Sequence, residues 1–502
     1  MRPPPSPDLI ASTILSAFHS LPARSKPRIR PDGSREWATL AGIALEHEDG
    51  LLTCASLATG VKCLPSSKIP LAQGLVLHDS HAEILAIRAF NHFLLREAHL
   101  LLHPPPHTTY HSPYLSLRPH TSLTKHSPQP FTLNPALRTH LYTTEAPCGD
   151  CSMELTISSQ ADPAPWVPPK SSSPTTMRGR GYFSHLGHLR TKPSRPDAPP
   201  TGAKSCSDKL SSKMYTSLLC MPTSYLVSLA SPGVYLDTIT VPESEFSAVG
   251  CERAFSPRGR LVPLNLITGR SSTSPDVQGG YSFRPFKIQT TSSTFPSFFF
   301  SRRPEIRPDA PAHTPSNIST IYIPHTTHPV HETLISAVLQ GRKAFSHNST
   351  PALALLGASC VSKMKLWGDA VAISEELLHN HPHPHSVVDS LMAFLTDSAN
   401  EEYESLKSPE PEDLVGKGEG GAELPPGPGV RLARWTAKEV VRGVLARAGG
   451  GGGVWVRNEG NGFRLVRLGQ GSVNVARKKG EKMRERERGM GVWREKEEMV
   501  VC

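Results

Sequence analysis

Three short polar segments, far apart in the 502-residue chain, constrain the fold most, because each stands where a helix or strand begins or ends. His81-Ala82-Glu83 opens residues 81–102, a stretch whose apolar side chains recur at helical intervals. Pro147-Cys148-Gly149-Asp150-Cys151 directly follows a short predicted strand, residues 139–144. Ser205-Cys206-Ser207-Asp208-Lys209 is a third polar, turn-prone segment. A histidine, carboxylates and several thiols therefore stand at element ends.

These residue types favour a metal site. A zinc ion with three protein ligands from His and Cys keeps a fourth position for water. The cation lowers the pKa of that water toward neutrality, and a carboxylate that is not a ligand then transfers protons. The order H-x-E followed by P-C-x-x-C is the signature of zinc-dependent nucleobase deaminases. Each part alone has a simpler explanation, since C-x-x-C pairs also form zinc knuckles or redox pairs, and core cysteines are common. Together they predict a catalytic zinc site with Glu83 as the proton shuttle.

The longer sequence around these segments resembles the editase domain of RNA adenosine deaminases, and particularly the fungal-type tRNA-specific adenosine deaminases. The resemblance covers about residues 30–475 and rests on the following stretches: Thr59-Gly60-Val61-Lys62-Cys63, His78-Asp79-Ser80-His81-Ala82-Glu83, Pro147-Cys148-Gly149-Asp150, Leu189-Arg190-Thr191-Lys192-Pro193, Ser205-Cys206-Ser207-Asp208-Lys209, Pro242-Glu243-Ser244, Cys251-Glu252-Arg253-Ala254-Phe255 and Trp455-Val456-Arg457-Asn458. It implies an α/β fold, a cytidine-deaminase-like mixed sheet flanked by helices. Additional C-terminal helices and long Pro/Ser/Gly-rich insertions enlarge it.

Two ligand sets are open. The literal C-x-x-C spacing suggests Cys148 and Cys151 as the two thiolates. The resemblance instead implies His81, Cys148 and Cys206, with a small non-ligand residue at position 151. The Ser-Cys-Ser-Asp-Lys string matches the family residue for residue, so Cys206 is preferred.

The resemblance also implies a buried inositol hexakisphosphate, which needs many Lys and Arg donors because such a cluster is not buried without its counter-anion. Candidates carried over by motif are Arg88, Lys209, Arg342 or Lys343, Tyr403, Lys407, Lys438 and Trp455. The sequence departs from the animal relatives at Ile87 and Ser212, where they carry arginine, and Lys213 is a substitute for the latter.

The composition indicates which kind of partner and which cellular compartment to expect for the protein. The 54 Lys and Arg outnumber the 44 Asp and Glu, and the net charge of +10 fits a polyanionic partner. No apolar run reaches the length of a membrane span, and the first residues lack the apolar core of a secretory signal. Nine cysteines, an odd number, favour a reducing compartment over a disulfide framework. An intracellular location, in the nucleus, the cytoplasm or both, is expected.

The 49 Pro and 38 Gly concentrate in stretches between apolar segments, which indicates one large domain with insertions. We expect an N-terminal helical lead-in over residues 1–30 and the editase domain over 30–475. Insertions are expected at about 103–138, 158–204, 270–316, which holds a Phe cluster at 298–300, and 408–432. Residues 476–502 form a charged tail.

By resemblance, the expected reaction is hydrolytic deamination of adenosine to inosine in tRNA, at the adenosine immediately 3′ of the anticodon in alanine tRNA. Only about 30 residues precede the resemblance, without a double-stranded-RNA-binding module, which favours folded tRNA over long duplexes. The alternatives are editing of other structured RNA, a pyrimidine deaminase with the same zinc site, and a catalytically silent RNA-binding scaffold. No membrane and no obligatory protein partner is indicated.

Overall fold

The computed structural model of the chain describes residues 3–104, 107, 109–159, 177–179, 185–192, 198–270, 279–302, 314–325, 328–342, 351–380, 387–398, 403, 405–407 and 425–447. Within these ranges, no helix is long and apolar enough to cross a lipid bilayer.

An eight-stranded mixed sheet forms the centre of the described structure. In chain order its strands are β1 (Leu40–Glu46), β2 (Leu52–Thr59), β3 (Arg138–Thr143), β4 (Leu236–Val241), β5 (Lys287–Thr290), β6 (Ile318–Ile323), β7 (Val330–Ile335) and β8 (Val338–Leu339). Their spatial order is β5-β4-β3-β1-β2-β6-β7-β8. β3, β4 and β5 run parallel, and all other neighbours pair antiparallel. The expected mixed α/β fold is confirmed.

Eleven helices surround the sheet in the described residues. They are α1 (Pro7–His19), α2 (Ala82–Leu102), α3 (Met153–Ser158), α4 (Cys206–Thr216), α5 (Thr223–Leu226), α6 (Ala248–Phe255), α7 (Val262–Arg270), α8 (Pro351–Gly357), α9 (Lys363–Asn380), α10 (Val387–Asp397) and α11 (Pro426–Arg447). Helix α2 packs on β1 and β2 and also against α9, while α11 packs against α4 and α10. The C-terminal helices therefore cover the same side of the sheet as α2.

Helix α1 covers the opposite face of the sheet. Its apolar side chains at Ile10, Ile14 and Phe18 are fully buried at the helical spacing of four residues. They pack with Leu40 of β1 and Leu57 of β2, in a cluster separate from the one that α2 joins. The segment expected as a helical lead-in is thus a layer of the core.

Within the described ranges, four two-stranded ladders lie outside the main sheet. Their pairs are Glu36–Trp37 with Thr314–Pro315, Val61–Cys63 with Asp79–His81, Leu115–Leu117 with Phe131–Leu133, and Met177–Arg178 with Arg190–Thr191. The second ladder lies where the metal ligands were expected from sequence, since it ends at His81.

The stretch 103–138, expected as an exposed insertion, carries a ladder and buried side chains. Leu115, Phe131 and Leu133 are at most 1% exposed. The buried carboxylate of Glu97 on α2 accepts hydrogen bonds from Tyr110 and Ser112, at 2.8 and 2.5 Å. These anchors are few and spaced among Pro, His and Ser, so their periodicity is not visible in the sequence. Residues 408–424 and 476–502, and most of 158–204, lie outside the described residues.

Candidate metal centre and active site

The three preferred metal ligands lie at one edge of the central sheet, each at the end of a regular element. His81 is the last residue of the short strand Asp79–His81 and immediately precedes α2. Cys148 lies in the turn after β3, and Cys206 is the first residue of α4. The side chain of Ser205 caps α4 by accepting a hydrogen bond from the backbone N–H of Asp208 at 3.1 Å, which fixes the start of the helix.

Gly149 allows the turn that carries Cys148 to touch the segment that carries Cys206. Its φ of 110° lies in the region that favours glycine. A Cβ at this position would lie 2.3 Å from the Ser205 hydroxyl oxygen, which is closer than packed atoms approach. The backbone N–H of Ser207 donates to the carbonyl of Cys148 at 3.0 Å. The two ligand-bearing segments are therefore in direct backbone contact.

The ligand atoms have the spacing of a tetrahedral zinc site. The His81 Nδ1 atom lies 3.8 Å from the Cys148 Sγ and 3.6 Å from the Cys206 Sγ. All three atoms lie within 4.8 Å of one another. Zinc bonds of about 2.3 Å to sulfur and about 2.0–2.1 Å to nitrogen place the two donors about 3.5 Å apart in a tetrahedron. Both the donor types and their spacing fit zinc with three protein ligands.

Cys151, the alternative ligand, makes other contacts. Its fully buried thiol donates to the Pro147 carbonyl at 3.0 Å and is not part of the His81 ligand group. Burial and the neighbouring Cys251 thiol raise the pKa of Cys151 well above its ordinary value. Because its thiol lies outside the ligand group and is held by the Pro147 carbonyl, Cys151 is a core side chain beside the site.

Glu83 lies two residues after His81, in the first turn of α2, and its side chain is 2% exposed. Its Oε2 atom is buried and has no hydrogen-bond partner among the described residues. Burial raises the pKa of the carboxyl group because it disfavours the charged form. A buried carboxyl with an open oxygen beside three ligands is suited to accept and release a proton.

A buried lysine supports the thiolates. Lys192 donates to the Cys206 Sγ at 3.3 Å and to both carboxylate oxygens of Asp79, at 3.0 and 2.8 Å. The hydrogen bond from the Cys206 thiol and the charge of Lys192 hold the pKa of Cys148 well below its ordinary value. Although burial opposes ionisation, Lys192 and Lys209 hold the pKa of Asp79 well below its usual range.

Neither Asp79 nor Lys192 is among the site residues expected from the sequence. Both residues lie in stretches that carry the resemblance, residues 78–83 and 189–193, but the sequence does not show that these two stretches pack together. Their positive and negative charges meet across 113 residues of chain.

Most of the predicted phosphate-binding residues meet beside α4. We define the basic cluster as Arg88, Lys209, Lys213, Lys363, Lys407, Arg434 and Lys438. Burial lowers the pKa of Lys438 well below its ordinary value, and the nearby positive charges, Lys407 and Lys213 among them, lower it further. Burial, followed by the charges of Lys363, Arg88, Lys407 and Lys209, lowers the pKa of His78 to about 2. These shared effects place the cations in one region.

The other predicted members differ in position. Lys407 and Lys363 lie over the ring of Tyr403, at 4.5 and 5.2 Å from its centroid, so Tyr403 adjoins the basic cluster. Arg342 is exposed in the turn after β8, and no contact among the described residues joins it to the cluster. Lys343 and Trp455 lie outside the described residues.

Known proteins resemble this chain over the region that carries the site. A family model described as "Adenosine-deaminase (editase) domain" matches residues 56–367, which include all three ligands and Glu83. The "tRNA-specific adenosine deaminase 1" of Schizosaccharomyces pombe is 39% identical over 290 residues, 57% of this chain and 69% of the relative. Its namesake in Saccharomyces cerevisiae is 33% identical over 252 residues, 47% of this chain and 58% of the relative.

A second type of relative shares a shorter region. The "Double-stranded RNA-specific editase B2" of Mus musculus is 32% identical over 158 residues, which is 31% of this chain and 18% of the relative. The family match spans more than half of the sequence. The chain belongs to the adenosine-deaminase (editase) domain family of hydrolytic deaminases.

Proposed function

We propose that the protein is a zinc-dependent deaminase that converts adenosine to inosine in tRNA, with zinc held by His81, Cys148 and Cys206. The observation that carries this proposal is the buried Glu83 carboxyl, whose open oxygen lies beside three ligand atoms with zinc spacing. The names of the fungal relatives support tRNA as the substrate.

The chemistry divides between the metal and Glu83. Zinc bound there supplies a Lewis acid that lowers the pKa of a water molecule toward neutrality. With zinc held by His81, Cys148 and Cys206, Glu83 would accept a proton from the attacking water and pass it to the adenine ring while C6 gains the oxygen. A second proton transfer through Glu83 lets the C6 amino group leave as ammonia, and inosine remains. The burial of the carboxyl raises its pKa, which favours the protonated form that carries the proton between the two transfers.

Lys192 and Asp79 position the ligands in this scheme. The ammonium group of Lys192 offsets the negative charge of two thiolates, and its paired Asp79 accepts the backbone N–H of His81 at 3.0 Å. That hydrogen bond orients the histidine as well as the start of α2. The pair therefore holds the ligand frame without taking part in proton transfer.

The finer proposal is that the target is the adenosine immediately 3′ of the anticodon in alanine tRNA. A base in a single-stranded loop enters a buried site with less unstacking than a base in a duplex. We expect purified protein to form inosine at that position in unmodified alanine tRNA, as read by sequencing of the product.

The same preparation distinguishes the alternatives. Incubation with cytidine and with a tRNA that has guanosine at this position should give no uridine and no inosine, respectively. Uridine formation would indicate a pyrimidine deaminase. Failure to form inosine in any tRNA, by a preparation with one zinc per chain, would contradict the proposed function.

We infer further that the basic cluster binds inositol hexakisphosphate. Seven cations, of which Arg434 is buried and the other six are half-buried, lie together beside α4. Burial and the charge of Arg434 lower the pKa of Lys213 to about 7. Like charges at low dielectric repel strongly, so a compact polyanion would relieve the repulsion and favour the charged forms of Lys213 and Lys438. Phosphate oxygens also accept charge-assisted hydrogen bonds from Lys and Arg.

The Lys438→Ala variant tests whether a polyanion occupies the basic cluster, because the change in stability has opposite signs with and without the anion. With a bound polyanion, Lys438→Ala should destabilise the protein by about 2 kcal/mol, because a charge-assisted hydrogen bond is lost. Without an anion, the same change would stabilise it, because burial and the neighbouring positive charges disfavour an ionisable amine at this position. Thermal unfolding, with the exposed Lys287→Ala as the matched control, gives the sign; the control should stay within about 0.5 kcal/mol. Mass spectrometry of the molecules released on denaturation identifies the anion. A stabilised Lys438→Ala variant, together with no polyphosphate released from the wild-type protein, would show that the basic cluster does not bind inositol hexakisphosphate.

A further inference from the structure

The three phenylalanines of the cluster at 298–300 differ in how far they are buried. Phe298 and Phe300 are buried against Phe18 of α1, with ring centroids 5.2 and 6.3 Å away. Phe299, between them, is 52% exposed. The two buried rings therefore anchor the loop, and they present the middle ring at the surface.

Arginine side chains lie over the ring of Phe299 and over the ring of Trp37, which is half-buried. The Arg35 guanidinium carbon is 4.4 Å from the centroid of the Phe299 ring, and that of Arg302 is 5.6 Å from the centroid of the Trp37 ring. We call these four residues, Arg35, Trp37, Phe299 and Arg302, the platform. Exposed aromatic rings and guanidinium planes are surfaces on which unpaired nucleobases stack.

Two consecutive backbone hydrogen bonds tie the platform to the catalytic segment. Two residues after Trp37, the carbonyl of Thr39 accepts from the N–H of Gly60 at 3.1 Å. The carbonyl of Gly60 in turn accepts from the N–H of Ala82 at 3.0 Å. Ala82 is the residue between the histidine ligand and the catalytic carboxyl.

A second connection runs through the loop that carries Phe299. The N–H of Ala38 donates to the carbonyl of Phe300 at 3.0 Å. The N–H of Arg302 donates to the carboxylate of Glu145 at 3.2 Å, and Glu145 lies three residues before the ligand Cys148. The platform thus lies at the same edge of the sheet as the metal ligands.

Positive charge surrounds the platform. Residues 24–37 contain five cations and two acids. Arg24, Arg28 and Arg30 are exposed, and Lys62 is exposed opposite Ser80 in the ladder that ends at His81. Of the two acids, Asp32 accepts the N–H of Ser34 and Glu36 accepts the hydroxyl of Ser316. The net charge of this surface is positive, as a phosphodiester backbone requires.

We propose that the platform, together with Arg28 and Arg30, is a contact surface for the unpaired loop nucleotides next to the target adenosine. The arginines bind phosphate groups, and the exposed part of the Phe299 ring stacks on one base. This inference rests on the proposed function, because it names how the same RNA substrate is held. It adds a surface outside the catalytic pocket, built from the N-terminal segment and the loop at 298–302.

Binding of unmodified alanine tRNA at several salt concentrations tests the surface. Arg28→Ala/Arg30→Ala should weaken binding and flatten the slope of log affinity against log salt by about 1.4, since each single-strand phosphate contact contributes about 0.7. Phe299→Ala should weaken binding about tenfold, a typical loss for one stacked base, with an unchanged salt slope. Phe299→Trp should restore it. At saturating enzyme, the first-order rate of inosine formation by each of these three variants should stay within twofold of the wild-type rate.

The matched control is Lys287→Ala/Arg447→Ala, which removes two exposed cations from β5 and the last turn of α11. It should keep the wild-type salt slope, and all variants should keep the wild-type melting temperature. Wild-type protein that forms inosine but binds tRNA no better than the arginine and Phe299 variants would overturn the platform alone. Wild-type protein that forms no inosine would overturn the proposed function instead.

Discussion

Glu83→Gln should lower the single-turnover rate of inosine formation by about 10²–10⁴-fold while the protein keeps its fold and its zinc. Glutamine has nearly the same size as glutamate, but it does not accept a proton. The side chain is buried and one of its oxygens has no hydrogen-bond partner among the described residues, so the substitution removes no structural contact of that atom. Zinc content by elemental analysis and rate by product sequencing measure the two effects separately.

The matched control is Glu97→Gln on the same helix. Glu97 is also buried, but its carboxylate accepts hydrogen bonds from Tyr110 and Ser112 and lies 3.1 Å from His325, far along α2 from the ligands. This variant should lose stability and keep its turnover per folded molecule. If Glu83→Gln retained near-normal turnover, or if Glu97→Gln lost as much, the proton-shuttle role would be wrong.

Cys206→Ser should lose zinc and activity together, whereas Cys151→Ser should keep one zinc per chain. The Cys206 Sγ lies 3.6 Å from the His81 Nδ1, within the spacing of a shared metal. The Cys151 Sγ instead donates to the Pro147 carbonyl. Elemental analysis of both purified variants decides between them. Retention of metal by Cys206→Ser with its loss from Cys151→Ser would establish the C-x-x-C ligand set.

The ligands and the carboxyl were accessible from the sequence because each lies in a contiguous motif whose residue types define the chemistry. The structure then brings His81, Cys148 and Cys206 within reach of one another. Lys192 and Asp79 were not accessible in this way. Their contact depends on how two distant segments pack, and neither local spacing nor hydrophobic periodicity encodes that packing.

The fold likewise has features that local sequence patterns predict and features that depend on long-range packing. The apolar periodicity of α2 predicts a helix because one face of it is buried, and the helix begins at Ala82 as expected from the preceding polar residues. The buried ladder within 103–138 was not visible, since its strands are three residues long and hold few apolar side chains. The surface position of Arg342 likewise depends on a tight turn that the motif alone does not specify.

Because α11 packs on α4, a helix that is translated late supports the helix that begins with the ligand Cys206. All three ligands and Glu83 have been translated once the ribosome passes residue 206, but Arg434 and Lys438 arrive more than two hundred residues later. A prematurely terminated chain that stops before α11 would contain every metal ligand and the proton shuttle. Its α4, which starts at Cys206, would lack the helix that packs against it. Nonsense mutations late in the reading frame should therefore be as damaging as changes in the motifs themselves.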